Sequence, residues 1–285
     1  MSRHNRDMLL GAHMRTSKGM GNALRDGKAI GADAVQVFTS SPQMWRASTV
    51  TPEKVEDFKR ATQETGIVDV VSHDSYLVNL CAPEEEIREK SRNALTGEIH
   101  RCALYGIGKV VSHMGAHKGQ GEEHGIKVIA EATARILDET SDEVTLLMET
   151  TAGSGSALGA TFEQLAAVLE LLKGPRRLGV CLDTCHVYVA GYDIRTDEGY
   201  DLVWQHFDHC IGIDRLGAIH CNDSVKGLGS HVDRHADIGQ GTLGLEPFRR
   251  LVNDARFTKV PILLETETEK HAQNLEVLRS LIEVG

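Results

Sequence analysis

Eight short apolar segments of strand-like composition recur along the chain, with helical patterns between most of them. They are MLLGAHM (8–14), AVQVFTS (34–40), VDVVSHDSY (68–76), KVVSHMG (109–115), TLLMETT (145–151), LGVCLDTCH (178–186), LGAIHCND (216–223) and VPILLETE (260–267). Strands that alternate with helices are typical of parallel sheets, and eight repeats predict a closed barrel with helices outside. We therefore expect an α/β fold of the (β/α)8 TIM barrel class. A length of 285 residues suits one such barrel, and no linker interrupts the alternation, so a single domain over 1–285 is expected.

Two of the helical segments carry clear end signals. In residues 82–106, Pro83 is placed to open a helix, acidic residues fill the first turn, and Gly106 can end it. The apolar positions at roughly helical spacing are Ile87, Leu95, Ile99 and Leu104. Further along, Thr161 and Gln164 have the spacing of a capping box. Both segments are predicted to form helices outside the barrel.

Six of the apolar segments finish in a histidine or a carboxylate. These residues are His73, His113, Glu149, Asp183, His220 and Glu265. In a parallel barrel the carboxyl ends of all strands open on one face, where active sites of this fold lie, so the six side chains should converge. One such histidine alone would more often be a hydrogen-bonded structural residue. Six polar groups together would repel unless cations lay among them, which predicts a metal site.

Neighbouring residues extend the candidate ligand set to nine. Asp183 and His186 lie three residues apart, at a strand end and on the loop expected to follow it. Asp233 and His235 lie two apart, so in an extended segment both side chains would point the same way. The nine candidates are His73, His113, Glu149, Asp183, His186, His220, Asp233, His235 and Glu265. Carboxylate with imidazole suits Zn, Mn, Fe or Co better than Ca or Mg. One tetrahedral ion needs three or four ligands, so nine suffice for two or three ions with a bridging carboxylate.

The cysteines of the sixth segment offer a competing zinc site. Cys181, Cys185 and His186 could bind one ion, but strand alternation places Cys181 deeper in the barrel than Asp183. We therefore favour Asp183 and His186 as the ligands and interpret the cysteines as small packing residues.

Charge and hydropathy narrow the class of protein. With 31 basic and 41 acidic residues the formal net charge is −10, which argues against a nucleic-acid binder held by excess positive charge alone. No segment reaches the ~18 apolar residues that a membrane helix needs, and the N-terminus lacks the pattern of a signal peptide. Six scattered cysteines do not suggest a disulfide framework. A cytoplasmic protein with no membrane partner is expected.

These segments resemble the endonuclease IV family, the apurinic/apyrimidinic endonuclease family 2 of the xylose isomerase-like TIM barrels. The resemblance runs from GAH (11–13) to ETE (265–267) and is densest in GVCLDTCHVYVAGYD, METTAGSG and HCNDSVKGLGSHVDRHADIGQGTLG. All nine candidate ligand positions carry the residue type that the family uses. From residue 11 to residue 267, the resemblance covers nearly the whole chain.

The resemblance implies a trinuclear metal site with three Zn²⁺ ions, Mn²⁺ being an alternative at one position. The implied ligand groups are His73, His113 and Glu149; then Glu149 as a bridge to Asp183, His220 and Glu265; then His186, Asp233 and His235. Glu149 and Glu265 would be catalytic through the metals that they hold. The implied reaction belongs to DNA base-excision repair: a zinc-bound hydroxide hydrolyses the phosphodiester 5′ to an abasic site and leaves a 3′ hydroxyl. A 3′ end-cleaning phosphodiesterase activity and a monomeric state are also implied.

The resemblance also implies contacts with double-stranded DNA that contains abasic sites. The expected DNA-binding residues are Gln43, Met44, Tyr76, Leu77 and Arg234. Gln43 and Met44 stand where the family typically has an arginine and a glutamine that enter the duplex, and Asp74 stands where it usually has alanine. A wedge without a cation can still unstack bases.

Two other functions remain open on the sequence. A divalent-metal sugar isomerase or epimerase on the same barrel shares the quartet Glu149, Asp183, His220 and Glu265, but has no evident use for the other five ligands. A DNA-damage binding protein that had lost catalysis should have a broken ligand set, and here the set is whole.

Overall fold

The barrel predicted from the eight segments is present in the computed structural model, which describes residues 8–283. The strands in these residues are β1 (Leu9–His13), β2 (Ala34–Val37), β3 (Asp69–His73), β4 (Lys109–Ser112), β5 (Thr145–Glu149), β6 (Leu178–Asp183), β7 (Leu216–His220), β8 (Asp223–Ser224), β9 (His235–Ala236) and β10 (Pro261–Leu264). All except β8 and β9 form one closed parallel barrel, in the order β1-β10-β7-β6-β5-β4-β3-β2. The predicted (β/α)8 fold is therefore confirmed. The predicted domain also includes residues 1–7 and 284–285, which lie outside the described residues.

The helices bury one face each against the barrel wall. Within residues 8–283 they are α1 (Met20–Ala29), α2 (Pro52–Thr65), α3 (Glu85–Tyr105), α4 (Glu122–Glu139), α5 (Phe162–Leu171), α6 (Thr184–Ala190), α7 (Asp197–Cys210), α8 (Glu246–Asn253) and α9 (His271–Ser280). Leu24 of α1 and Phe58 of α2, for example, belong to the same buried cluster as Val35 of β2. None of the helices in this part of the chain is long and apolar enough to cross a membrane.

The predicted helix ends are largely observed. The Thr161 hydroxyl accepts a hydrogen bond of 3.3 Å from the Gln164 backbone N–H and caps α5. Helix α3 ends before Gly106, whose φ of 77° lies in the left-handed region. Leu95 and Ile99 are buried, whereas the side chain of Leu104 is 56% exposed. Nine residues beyond Leu95 amount to about two and a half turns, which places Leu104 on the opposite face of the helix.

The inside of the barrel is filled by a compact apolar layer. Seven strands contribute one buried residue each: Ala34, Val71, Val111, Leu147, Cys181, Ala218 and Leu263. The Leu147 side chain fits here because Gly217 of β7 has no Cβ atom. A Cβ at that position would lie only 2.4 Å from the Leu147 side chain. The Cys181 thiol belongs to this layer, as strand alternation predicted.

The sixth segment changes from strand to helix at Asp183. Strand β6 ends there, and the Asp183 carboxylate accepts a 2.8 Å hydrogen bond from the His186 backbone N–H, which caps α6. The expectation that His186 lies on a loop was therefore wrong. The cap turns the chain sharply enough to bring the His186 ring back toward the barrel mouth.

Candidate metal centre

The nine candidate ligands gather at the carboxyl end of the barrel. His73, Glu149, Asp183 and His220 are the last residues of β3, β5, β6 and β7, while His113 and Glu265 directly follow β4 and β10. Six of the nine line an open cavity of about 490 Å³, while Glu149, Asp183 and His220 are fully buried and do not line it. Three groups of these side chains lie close together, and in two of them all the ligand atoms are within 4.8 Å of one another.

The first group consists of His73, His113 and Glu149. The Glu149 Oε2 atom lies 3.1 Å from His73 Nε2 and 2.8 Å from His113 Nε2. The other nitrogen of His73, Nδ1, lies 3.0 Å from the Asp74 carbonyl oxygen. A backbone acceptor at Nδ1 leaves Nε2 free to act as a ligand, which is the usual support of a metal-binding histidine.

The second group shares Glu149 with the first. Glu149 Oε1, the oxygen not used above, lies 2.8 Å from His220 Nδ1, and Glu265 Oε2 lies 3.2 Å from the same nitrogen. Asp183 completes this group, whose four ligand atoms all lie within 4.8 Å of one another. The two oxygens of Glu149 therefore face two different groups, which is the arrangement of a bridging carboxylate.

The third group lies beside α6. Asp233 Oδ2 is 3.1 Å from His186 Nε2, and Asp233 Oδ1 is 3.2 Å from His235 Nε2. His235 Nε2 also lies 3.6 Å from Asp183 Oδ2, so Asp183 adjoins the second and third groups. The Cys185 thiol approaches Asp233 and His235, but within residues 8–283 no candidate group contains Cys181. The alternative zinc site of Cys181, Cys185 and His186 is therefore not brought together.

The geometry of the third group fits a shared cation better than direct hydrogen bonds. His186 Nε2 and His235 Nε2 are buried and lack a hydrogen-bond partner among the described residues, although Asp233 lies within 3.2 Å of both. Two ligands of one tetrahedral zinc at about 2.0 Å each are roughly 3.3 Å apart. His186 Nδ1 is meanwhile held at 2.8 Å by the Thr150 carbonyl oxygen. The donor set and its free nitrogens thus suit a divalent transition metal.

Comparisons with known proteins show which family this chain resembles. A family model described as a xylose isomerase-like TIM barrel matches residues 24–283. The protein named probable endonuclease 4 of Chloroflexus aurantiacus is 46% identical over 278 residues, covering 96% of this chain and 98% of the relative. The crystal structure of endonuclease IV from Thermus thermophilus superposes with a TM-score of 0.84 at 37% identity, covering 95% of this chain and 98% of that one.

This chain belongs to the endonuclease IV family.

Membership confirms the predicted class of enzyme, a nuclease on a xylose isomerase-like barrel, and together with the ligand groups it indicates the use of divalent metal. A D-tagatose 3-epimerase-like protein also superposes, with a TM-score of 0.70 over 95% of this chain and 96% of the other, but at 16% identity. That likeness shows the fold alone.

In this endonuclease IV family member the nine candidate ligands, called the ligand ring below, shift one another's pKa values. Burial would raise the pKa of Glu149, but the charges of His113 and His220 hold it well below its usual range. Burial would likewise lower the pKa of His73, yet Glu149 raises it to about 10. The pKa of His235 is raised to about 9 against the effect of burial, chiefly by Asp183 and Asp233. Protons occupy this ring where metal is absent, so metal binding has to displace them.

Two of the five residues predicted to contact DNA line the cavity, and Met44 lines a neighbouring cavity that shares Phe38 and His73 with it. Tyr76 is 67% exposed and lines the cavity, as does the exposed Arg234. Met44 is 58% exposed on the loop after β2, beside the exposed Gln43, and Leu77 is half-buried. Gln43, Met44, Tyr76 and Arg234 are therefore accessible to a large ligand.

Three residues that support the ring were missed by the sequence analysis. His13 ends β1 as the ligands end other strands, so the same strand-end signal could have found it. Asn222 donates a 2.7 Å hydrogen bond to Asp183 and accepts a 2.8 Å bond from the Glu265 backbone N–H. Gln36 of β2 lies between His13, His220 and Glu265. An amide within or just after a strand carries no signal that separates it from any other polar residue.

Proposed function

We propose that this chain hydrolyses the phosphodiester bond 5′ to an abasic site in double-stranded DNA and leaves a 3′ hydroxyl. The observation that carries the proposal is the meeting of nine candidate ligands in three adjoining groups, of which the first two share Glu149 and the third adjoins Asp183. A sugar isomerase needs only the quartet Glu149, Asp183, His220 and Glu265. Hydrolysis of a phosphodiester at several metal ions would also use His73 and His113 as ligands, together with the group around Asp233.

The residues fit three divalent ions, and we propose Zn²⁺ at all three positions, with Mn²⁺ as the alternative at one. When bound, such ions lower the pKa of water and neutralise charge on the phosphate and on the leaving sugar oxygen. Glu149 has the two oxygens needed to connect the first two groups, and Asp183 lies beside the third. Glu265 is anchored through its backbone by Asn222. These buried carboxylates keep the ligand nitrogens in place before substrate arrives.

The chain's exposed residues would place the DNA. Tyr76 packs edge-on against Phe38, with ring centroids 5.3 Å apart, and presents the rest of its ring at the cavity. Gln43 and Met44 project from the loop after β2, where an apolar and amide wedge can enter the duplex beside an abasic site. Arg234 follows the ligand Asp233 and can contact a phosphate oxygen. Removal of blocking groups from DNA 3′ ends would use the same ligand ring.

Incision of a labelled duplex with one tetrahydrofuran abasic analogue tests the proposal. Cleavage on the 5′ side of the analogue, with an intact undamaged control duplex and about three metals per chain, is expected. Asp183→Asn serves as the matched variant, because it keeps an acceptor for the cap of α6 while removing the carboxylate. No incision by the metal-loaded wild-type chain would overturn the proposal. Ketose epimerisation by that same preparation would establish the isomerase alternative.

A further inference from the structure

The buried amide of Gln36 lies in the middle of the ligand ring without belonging to it. Its side chain is fully buried, with 0% exposure. Its Nε2 atom lies 2.6 Å from Glu265 Oε1 and 3.0 Å from His13 Nδ1, while its Oε1 atom lies 2.8 Å from His220 Nε2. One amide therefore contacts two ligands of the second group and one further histidine.

Only one orientation of this amide satisfies its neighbours. With Nε2 toward Glu265, its two hydrogens are donated to the carboxylate and to His13 Nδ1. The reverse orientation would place the amide oxygen 2.6 Å from a carboxylate oxygen, and two acceptors at that distance repel. The amide oxygen therefore faces His220, whose Nε2 must carry the hydrogen that it accepts.

This hydrogen bond determines which nitrogen His220 offers to a metal. With the hydrogen on Nε2, the lone pair of the neutral ring lies on Nδ1, the atom that faces Glu149 and Glu265. His73 and His186 are held the other way round, since backbone carbonyl oxygens occupy their Nδ1 atoms and leave Nε2 free. No backbone acceptor contacts His220 Nε2 among the hydrogen bonds of residues 8–283, and Gln36 supplies that acceptor instead.

We propose that Gln36 is a positioning residue of the metal centre, which sets the tautomer of His220 and the orientation of Glu265 for ligation at the second group. The proposal rests on the metal binding invoked under the proposed function. Gln36 acts through the ligands and has no contact with the DNA. A purely structural amide would stabilise the fold but would leave the ligating nitrogen and the metal affinity unchanged.

Gln36→Met tests this role, because methionine has a similar length but neither donates nor accepts a strong hydrogen bond. Gln164→Met is the matched control: Gln164 is also a buried amide, and it bonds Gly159, Ala160 and Glu122 rather than any ligand. Zinc affinity is measured by chelator competition without DNA. Supporting groups of this kind typically contribute 10- to 100-fold to metal affinity, so a loss of about that size is expected in Gln36→Met and none in Gln164→Met.

Nitrogen-15 NMR of the zinc-loaded wild-type chain tests the tautomer without any variant. The expected spectrum has His220 bound through Nδ1, with a slowly exchanging hydrogen on Nε2. Ligation of His220 through Nε2 would overturn the proposal, and so would unchanged zinc affinity in folded Gln36→Met. For incision, Gln36→Met should lower kcat and leave the KM for the abasic duplex nearly unchanged. A wild-type chain that binds zinc as described but never cuts abasic DNA would refute the proposed function and leave the role of Gln36 intact.

Discussion

Two layers of side chains lie two residues apart along the same barrel strands, and they have opposite chemistry. The inner layer is apolar and consists of Ala34, Val71, Val111, Leu147, Cys181, Ala218 and Leu263. Two residues further along each strand lies a polar partner: Gln36, His73, His113, Glu149, Asp183, His220 and Glu265. Because strand residues alternate, both layers point to the same side, one deep and one at the mouth.

The difference shows that the residues that stabilise the barrel and the candidate ligands lie only two positions apart on each strand. The inner layer gains free energy by removing apolar surface from water. The mouth layer buries carboxylates and imidazoles, which is unfavourable unless protons or metal ions balance their charges. The outer residues can therefore be specialised for ligation because the inner residues hold the barrel closed.

The largest effect should come from a change in the mouth layer of β5. Glu149→Gln removes the carboxylate that faces two ligand groups, so incision of an abasic duplex should fall on the order of 1000-fold, the scale of losing one key electrostatic group. Circular dichroism should show an intact barrel. A folded variant with undiminished incision would refute the claim that the mouth layer carries out the reaction.

The reciprocal change lies two residues earlier in the same strand. Leu147→Ala leaves a cavity in the inner layer and should lower the free energy of unfolding by about 2–5 kcal/mol. Its kcat, measured where the variant is fully folded, should match that of the wild type. Denaturant unfolding and incision on one preparation check both statements, and a large loss of kcat with normal stability would contradict them.

Proton competition offers a third test, which affects only the mouth layer. The raised pKa values of His73, about 10, and His235, about 9, mean that protonated rings stabilise the metal-free fold fully below pH 6.5. That contribution is lost as the pH rises through 9 to 10. Metal needs the unprotonated nitrogens, so its apparent affinity should rise about tenfold per pH unit for each proton displaced. Calorimetry in buffers of different ionisation enthalpy measures this release, and none at pH 7 would contradict the expectation.

The smallest effect is expected at the rim, outside both layers. Gln43→Ala with Met44→Ala should weaken binding of an abasic duplex roughly tenfold, the scale of a lost side-chain wedge. Metal content should not change. The matched control is Gln63→Ala with Val68→Ala, an exposed amide and an exposed apolar residue that precede β3 at the other end of the barrel. Equal affinity in both double variants would show that the loop after β2 does not enter the duplex.

The sequence predicted the barrel and the meeting of the nine ligands because both depend on local pattern. Each apolar run fixes a strand, and the residue that ends it is placed at the mouth by the fold itself. Glu149 and His220 could thus be assigned to one site although they lie 71 residues apart.

The features that the sequence did not predict depend on tertiary contacts that no local pattern contains. Gln36 of β2 meets His220 of β7 across 184 residues of sequence because only β1 and β10 separate these two strands in the closed barrel. The position of His186 depends on the cap that Asp183 forms, and a helix of seven residues is too short for a periodic signal. The exposure of Leu104 could not be predicted either, because roughly helical spacing over several turns does not by itself say which apolar residues share a face.

The two-residue offset between the layers also limits how such a chain can evolve. Inserting one residue into β5 before Leu147 would turn both Leu147 and Glu149 to the outer side of the strand, exchanging core and ligand at once. Substitutions can adjust either layer separately, and loops beyond the strand ends can change in length. The number of residues in each strand is thus expected to be conserved as strictly as the ligands. An insertion or deletion within a strand is expected only in descendants that have lost both the inner apolar layer and the metal ligands.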